Sequence, residues 1–168
     1  MRSVVMKFGG TSLGSGEKIR HVAKMLREKR AKETVVVISA MSGVTDMLVE
    51  MSNKVVTGVS EKEIKGFVGE IREKHLVTVK EAVAEEFRSL TIIEIEKLCE
   101  ELEKALIGVS YVGELTPRSM DYLISFGEKL NAPIVSGALN SAEIKSRWYD
   151  GFSAGIITNS DFGKASPI

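Results

Sequence analysis

The stretch VVMKFGGTSLGSGEKIR, residues 4–20, decides the fold of this chain. It opens on the apolar run SVVMKF at residues 3–8, which predicts a short buried strand. A helix is predicted over residues 16–31, where apolar residues recur at i, i+3, i+4 and i+7: Ile19, Val22, Ala23 and Leu26. Glycine occurs four times in this stretch, from the end of the strand to the start of the helix. The junction is therefore predicted to be a turn in which the exposed backbone, rather than the side chains, is the functional part.

A second strand is predicted at residues 34–39, TVVVIS. Its apolar residues are continuous rather than alternating, which is typical of a parallel strand covered on both faces. Two strands joined through a helix form a β-α-β unit, for which a right-handed crossover is the default. A further helix is predicted over residues 44–56, directly after this second strand.

The middle of the chain, at residues 60–112, predicts an antiparallel pair of helices. The first is expected to continue towards Phe87, and the second to begin at Thr91 with Glu94 as the partner of a capping box. Thr116 is predicted as the N-cap of the next helix, with a proline directly after it. The remaining predicted elements are a shorter helix at 132–142 and strands at 144–149 and 155–158.

Composition narrows the class of protein. The 168 residues favour one domain, and 23 basic residues balance 23 acidic ones. We therefore expect no general binding to nucleic acid, and no apolar run is long enough to predict a membrane span. The N-terminus does not read as a signal peptide, and the single cysteine, Cys99, fits a packed residue in a reducing cytoplasm. His21 and His75 lie among charged residues and are predicted at the surface.

The glycine-rich junction suggests a phosphate site. Gly9 and Gly10 lack side chains, so their backbone amides can approach an anion closely. Thr11 and Ser12 add hydroxyl groups, Lys7 adds an ammonium group at the end of the strand, and the following helix favours negative charge at its N-terminus. The alternative is a tight turn with the lysine extended into solvent. The pattern matches neither the P-loop nor the G-x-G-x-x-G motif.

The second strand ends in SAMSGVTD, residues 39–46, which again places small polar residues at the carboxyl end of a strand. Open α/β sheets bind ligands in that crevice, and Ser39, Ser42 and Thr45 offer hydroxyl groups there. The alternative is that Ser42 only caps the following helix. A third candidate is Glu128 in SFGEKLNA, which pattern alone also explains as a solvated helix residue.

Three motifs together resemble the aspartokinases, members of the amino acid kinase family. They are VMKFGGTSLG at 5–14, VVVISAMSGVTD at 35–46 and DYLISFGEKLNAPIVSGAL at 121–139. The resemblance covers essentially the whole chain, and the helical insert at about 60–112 is its least diagnostic part. It implies an incomplete α/β fold of the amino acid kinase (carbamate kinase-like) type. That fold is a three-layer α/β/α arrangement with a mainly parallel sheet, into which the long helical pair is inserted.

The resemblance also implies a reaction. Aspartokinases transfer the γ-phosphoryl group of ATP, with Mg²⁺, to the side-chain carboxylate of L-aspartate, the first step towards lysine, threonine and methionine. It implies that Lys7 contacts the ATP phosphates and the transferring group, and that Glu128 recognises the amino group of the substrate. It assigns the phosphate loop to Gly9, Gly10 and Ser12, and the aspartate pocket to Ser39 and Thr45. It implies no metal ligand in this part of the domain.

The family's catalytic domain is longer than this chain. We therefore expect residues 1–168 to be its N-terminal, substrate-side part, with the nucleotide-binding half and the regulatory domains absent. The expected partners are L-aspartate and either further copies of the chain or a complementary C-terminal half. One alternative is a non-catalytic half-domain that binds substrate or a partner subunit. Another is a kinase with a different acceptor, such as a glutamate derivative or carbamate.

Overall fold

The computed structural model describes residues 3–29 and 33–168. Strands β1 (Ser3–Phe8) and β2 (Glu33–Ile38) pair in parallel, in register from Ser3 opposite Glu33 to Phe8 opposite Ile38. Helix α1 (Gly16–Lys29) connects them, which confirms the predicted β-α-β unit. The last two residues of the predicted helix, 30 and 31, lie outside the described residues.

The two faces of this sheet differ. Met6, Phe8, Val36 and Ile38 pack against the helical core. On the other face Val5 is 69 % exposed and Val35 is 58 % exposed. The prediction that both faces of the second strand are covered is therefore wrong for the part of the chain that the structure describes. Side chains alternate across a strand, and here helices pack on only one side of it.

Helix α2 (Val44–Lys54) follows β2 and ends in a 3₁₀ turn at Val55–Thr57. The predicted helical pair is present as α3 (Glu61–Ala82) and α4 (Glu85–Val112). Arg72 on α3 forms an ion pair with Glu96 on α4, and Tyr111 near the end of α4 reaches Glu61 at the start of α3. These contacts show that the pair is antiparallel.

The turn of the pair lies earlier than predicted, at residues 83–84. Thr91 lies inside α4, where its hydroxyl donates to the Phe87 carbonyl at 3.0 Å, so the prediction of an N-terminal capping box there is wrong. Arg88 explains the early turn, because it donates to the carbonyls of Lys80 and Val83 at the end of α3, both at 2.8 Å. Those carbonyls would otherwise lack helical partners.

Helix α5 (Pro117–Ile124) begins as predicted, since the Thr116 hydroxyl accepts from Ser119 N at 3.1 Å and proline takes the first position. Helix α6 (Phe126–Ser141) begins earlier than the predicted 132–142 and carries Pro133 inside it. The break between the two helices is confined to residue 125. Helix α6 thereby holds Glu128 in its first turn.

Residues 142–168 contain no regular strand, so the strands predicted at 144–149 and 155–158 are wrong. The backbone near Ser146 instead contacts α6, because Ser146 N donates to the Asn140 side chain at 3.0 Å. One isolated antiparallel bridge joins Thr158 to Pro167. A strand needs a ladder of hydrogen bonds to a neighbour, and this single bridge does not form one.

Two core residues test the sequence predictions. Cys99 is 3 % exposed, and burial raises the pKa of its thiol to about 12, as expected of a packed, unreactive residue. His75 is fully buried, so its predicted surface position is wrong, whereas His21 is exposed as predicted. His75 follows Ile71 by four residues and so lies on the buried stripe of α3. No helix in the described ranges is long and apolar enough to cross a membrane.

Candidate functional site

Two loops meet at the carboxyl ends of the strands. The first loop, residues 9–15, follows β1, and the second loop, residues 39–43, follows β2. A Cβ atom on Gly10 would lie 2.8 Å from the Ala40 carbonyl oxygen, closer than real Cβ atoms come. A Cβ atom on Gly14 would lie 3.3 Å from Cβ of Ser42. Glycine in the first loop therefore allows the two backbones to approach each other.

Helix α6 brings the third motif to the same place. A Cβ atom on Gly127 would lie 2.8 Å from Cβ of Ala40 and 3.7 Å from Oγ1 of Thr45. The next residue, Glu128, accepts a hydrogen bond from the Ala40 amide at 3.3 Å through Oε1. Ala40 is thus contacted by the first loop on one side and by α6 on another. The three motifs that sequence reasoning singled out lie at one edge of the sheet.

The residues predicted to bind phosphate lie along the first loop. Residues 10–12 form a 3₁₀ turn, in which Ser12 N donates to Gly9 O at 3.0 Å. Thr11 and Ser12 are exposed, and there is open space where a Cβ atom of Gly9 would lie. Lys7 is exposed on the open face of the sheet, three residues before this turn. A ligand can therefore reach the loop from solvent.

The N-terminus of α1 does not fit the phosphate prediction. Gly16 N donates to Oε2 of Glu81 at 3.1 Å, so a carboxylate from α3 already occupies the positive end of this helix. A Cβ atom on Gly16 would lie 2.2 Å from Cβ of Glu81, which explains the fourth glycine by packing. Arg20 also donates to the Glu81 carbonyl. The prediction of a phosphate site is therefore limited to the first loop.

The second loop and the first turn of α2 carry the three hydroxyl residues singled out from the sequence. Ser42 and Thr45 are exposed and Ser39 is half-buried. The N-cap of α2 is Gly43, in the left-handed conformation at φ 79°, so the alternative that Ser42 caps this helix is wrong. A glycine with positive φ makes the sharp turn from loop to helix without steric cost. The Ser42 hydroxyl is left outside the helix.

Sequence reasoning missed two lysines at this site. Lys18 Nζ donates to the Thr11 carbonyl at 2.9 Å, and Lys74 Nζ donates to the Ser42 carbonyl at 3.1 Å. Lys18 lies seven positions after Thr11 in the first turn of α1, where a cation opposes the helix dipole, and that signal could have been noticed. Lys74 lies on α3, 32 positions from its partner, and no local pattern points to it. With Lys7, these cations favour an anionic ligand.

A third missed residue is Asn131 on α6. It is fully buried, and its Nδ2 donates to the Ser39 carbonyl at 2.8 Å. The signal in the sequence is an amide in an otherwise apolar helical face. No cluster of three or more histidine, cysteine, aspartate or glutamate side chains suitable for a metal ion occurs in the described part of the chain.

Residues 2–167 match the amino acid kinase family. The chain belongs to the amino acid kinase family. It is 40 % identical to aspartokinase 1 of Arabidopsis thaliana over 159 residues, which are 94 % of this chain and 27 % of that protein. It is also 40 % identical to aspartokinase 2 of the same plant over 162 residues, which are 96 % of this chain and 29 % of that protein.

Solved structures of this family confirm the fold. Aspartokinase III of E. coli, in a complex with lysine and aspartate, matches 98 % of the chain with a TM-score of 0.82 at 25 % identity. The same enzyme in a complex with aspartate and ADP matches 99 % with a TM-score of 0.83. The chain spans 35 % of each of these structures and less than a third of the plant relatives. The resemblance to aspartokinases is confirmed, and the amino acid kinase fold is present in part.

Proposed function

We propose that this chain is the substrate-side part of an aspartokinase. The whole enzyme transfers the γ-phosphoryl group of ATP to the side-chain carboxylate of L-aspartate and forms 4-phospho-L-aspartate. This step leads towards lysine, threonine and methionine. The observation that carries the proposal is the meeting of both loops and α6 around Ala40, in a chain 40 % identical to plant aspartokinases.

The first loop is proposed to hold the ATP phosphates. Gly9 and Gly10 leave the backbone open to an anion, and Thr11 and Ser12 add exposed hydroxyl groups. Lys7 is exposed near the end of β1, just before this loop, and we propose that its ammonium neutralises charge on the transferring group. Phosphoryl transfer depends on positioning and on charge neutralisation more than on covalent chemistry by the protein. A glycine loop with a lysine beside it supplies both.

The second loop and α6 are proposed to hold the acceptor. A carboxylate oxygen of L-aspartate attacks the γ-phosphorus, the bond to the bridging oxygen breaks, and ADP leaves with that electron pair. Ser39 and Thr45 can donate hydroxyl hydrogen bonds to the acceptor, and Glu128 can take its ammonium group in a charge-assisted pair. A carboxylate at this position selects for an α-amino acid.

Because the chain spans less than a third of its plant relatives, we expect a partner to complete the site. Magnesium is expected to enter with ATP, bound to its phosphates. The open sheet face with Val5 and Val35 fits a complementary C-terminal half or another copy of the chain. We expect a reducing compartment such as the cytoplasm, although the plant relatives are named chloroplastic. If no partner completes the site, the chain acts as a non-catalytic binding half-domain.

ADP release from MgATP tests the proposed function. L-aspartate, L-glutamate and carbamate are supplied separately, to the chain alone and to the chain with a C-terminal half taken from an aspartokinase. We expect ADP release with L-aspartate only, and only when the second half is present. Lys7→Ala should reduce the rate at least about 100-fold, as for loss of a transition-state charge contact. Lys104→Ala, an exposed lysine of α4, is the matched control and should leave the rate unchanged.

Two results would contradict the proposal. A Lys7→Ala variant with the same rate as the wild type would remove this residue from the reaction. Preference for L-glutamate or carbamate over L-aspartate would keep the kinase class and reject the substrate. If the second half restores no turnover with any acceptor, but L-aspartate still binds, the non-catalytic reading is favoured.

A further inference from the structure

Asn131 is a buried amide whose nitrogen makes a hydrogen bond and whose oxygen makes none in the described part of the chain. It lies on α6 between apolar residues such as Leu130 and Ile134, and it is fully buried. Its Nδ2 donates to the Ser39 carbonyl at 2.8 Å, while its Oδ1 has no partner among the described residues. A buried polar atom without a partner costs free energy. An apolar residue at this position would avoid that cost in free energy. The bond to Ser39 is therefore the feature of Asn131 that needs an explanation.

The bond holds a peptide group that the sheet leaves unpaired. The last paired residues of the two strands are Phe8 and Ile38, and β1 then gives way to the first loop. The next peptide group of the second chain segment contains the Ser39 carbonyl and the Ala40 amide. Asn131 donates a hydrogen bond to the carbonyl, and Glu128 accepts one from the amide at 3.3 Å. Two side chains of α6, three positions apart, thus bind both polar groups of this peptide.

We propose that Asn131 is a positioning residue of the acceptor site, which keeps the Ser39–Ala40 peptide in place while Glu128 releases it to bind the substrate. This inference rests on the proposed function, because Glu128 changes partner only if the ligand is an α-amino acid. An ammonium group is a stronger partner for a carboxylate than a neutral backbone amide is. The ammonium group of the substrate therefore competes with the Ala40 amide for the Glu128 carboxylate.

The position of the second loop then depends on Asn131. If Asn131 were absent, substrate binding would leave both polar groups of the peptide without a partner on α6. The peptide could then turn, and the Ser39 hydroxyl would leave the acceptor. Gly127 supports this arrangement, since its missing side chain lets α6 come close enough for both contacts.

Amide hydrogen exchange, measured by NMR on the chain, tests the holding role directly. In Asn131→Leu the branching at Cγ is kept and the donor is lost, and we expect the Ala40 amide to exchange about tenfold faster relative to the amides of β2. Val135→Ala, a buried apolar residue of the same helix, is the matched control for lost packing. It should change Ala40 no more than it changes β2. An unchanged relative rate in Asn131→Leu would overturn the proposal.

Titration with L-aspartate tests the role in binding. In the wild type we expect shifts of the Ala40 and Thr45 amides, and about tenfold weaker binding in Asn131→Leu than in Val135→Ala. Equal affinity in wild type and Asn131→Leu would overturn the positioning role and leave the proposed function standing. No shift with L-aspartate in the wild type would overturn the proposed function, and with it the exchange of partners by Glu128.

Discussion

The helical pair α3–α4 and the segment at residues 142–168 both carry many apolar side chains, but they bury them very differently. In the pair, residues such as Ile71 and Leu102 are fully buried. In the segment, Phe152 is 89 % exposed and Ile157 is 64 % exposed. A helical pair finds its apolar partner within itself, whereas extended segments need one from elsewhere in the molecule. An apolar side chain is therefore buried where the element that packs against it is close in the sequence, as in the helical pair.

The largest expected effect comes from removing a core side chain of the pair. Leu102→Ala should lower the free energy of unfolding by about 3 kcal/mol, because it loses buried methyl groups and leaves a cavity. Phe152→Ala should change it by less than about 0.5 kcal/mol, since little apolar area is lost from burial. Urea unfolding measures both. Equal losses in the free energy of unfolding would show that the segment is packed in solution. That result would contradict the difference in burial between the two regions.

Glycine substitutions test the same difference within helices. A Cβ atom on Gly137 of α6 would lie 2.7 Å from Oγ1 of Thr91 and 3.1 Å from both methyl groups of Val83. Gly137→Ala should therefore cost about 1–3 kcal/mol in the free energy of unfolding. Gly108 of α4 has open space instead, and Gly108→Ala should stabilise the protein by about 0.5–1 kcal/mol. Thermal unfolding should give opposite shifts; shifts of the same sign would contradict the packing of α6 on α4.

A smaller effect is expected from pH through His75. Burial lowers the pKa of this side chain below its usual value of 6.5, so the unfolded chain takes up the proton first. The stability is complete above about pH 6.5 and is lost as the pH falls below it. The melting temperature should therefore fall between pH 7 and pH 5, and less steeply in His75→Phe. His21→Gln, at an exposed position, is the control and should keep the wild-type slope.

The smallest effect on stability, and the largest on association, is expected in the segment itself. Phe152→Ser with Ile157→Ser should leave the free energy of unfolding almost unchanged, because both residues are exposed. If the wild type self-associates through this surface, the double variant should show a lower weight-average mass in sedimentation at high concentration. Equal masses would place the contact elsewhere, and Val35→Ser on the open sheet face is then the informative variant.

Sequence patterns correctly predicted the elements that depend on contacts between residues close together in the chain. The β-α-β unit, the helical pair and the N-cap at Thr116 follow from periodicity and from residues within four positions of each other. The strands predicted at 144–149 and 155–158 failed because apolar content alone does not supply a neighbouring strand. The capping box at Thr91 failed because Arg88 ends α3 through backbone carbonyls, and no short motif records that contact.

The candidate site shows the same limit. Glycines and hydroxyl residues after each strand predicted where the loops lie, since they act through their own backbone. Lys74 and Asn131 were missed because their partners lie 32 and 92 positions away. His75 was misplaced because its charged sequence neighbours hid its position on the apolar stripe of α3. Only the packed structure brings such residues to their partners.

The turn between α3 and α4 has a consequence for the order of folding. Arg88 reaches carbonyls five and eight positions before it, so the helical pair can close on contacts that need little loop entropy. The bonds from α6 to the second loop span 88 and 92 positions. We therefore expect the helical pair to be formed already in the folding transition state. We expect the candidate site to assemble last. High φ-values at Ile71 with low ones at Asn131 would establish that order, and the reverse would refute it.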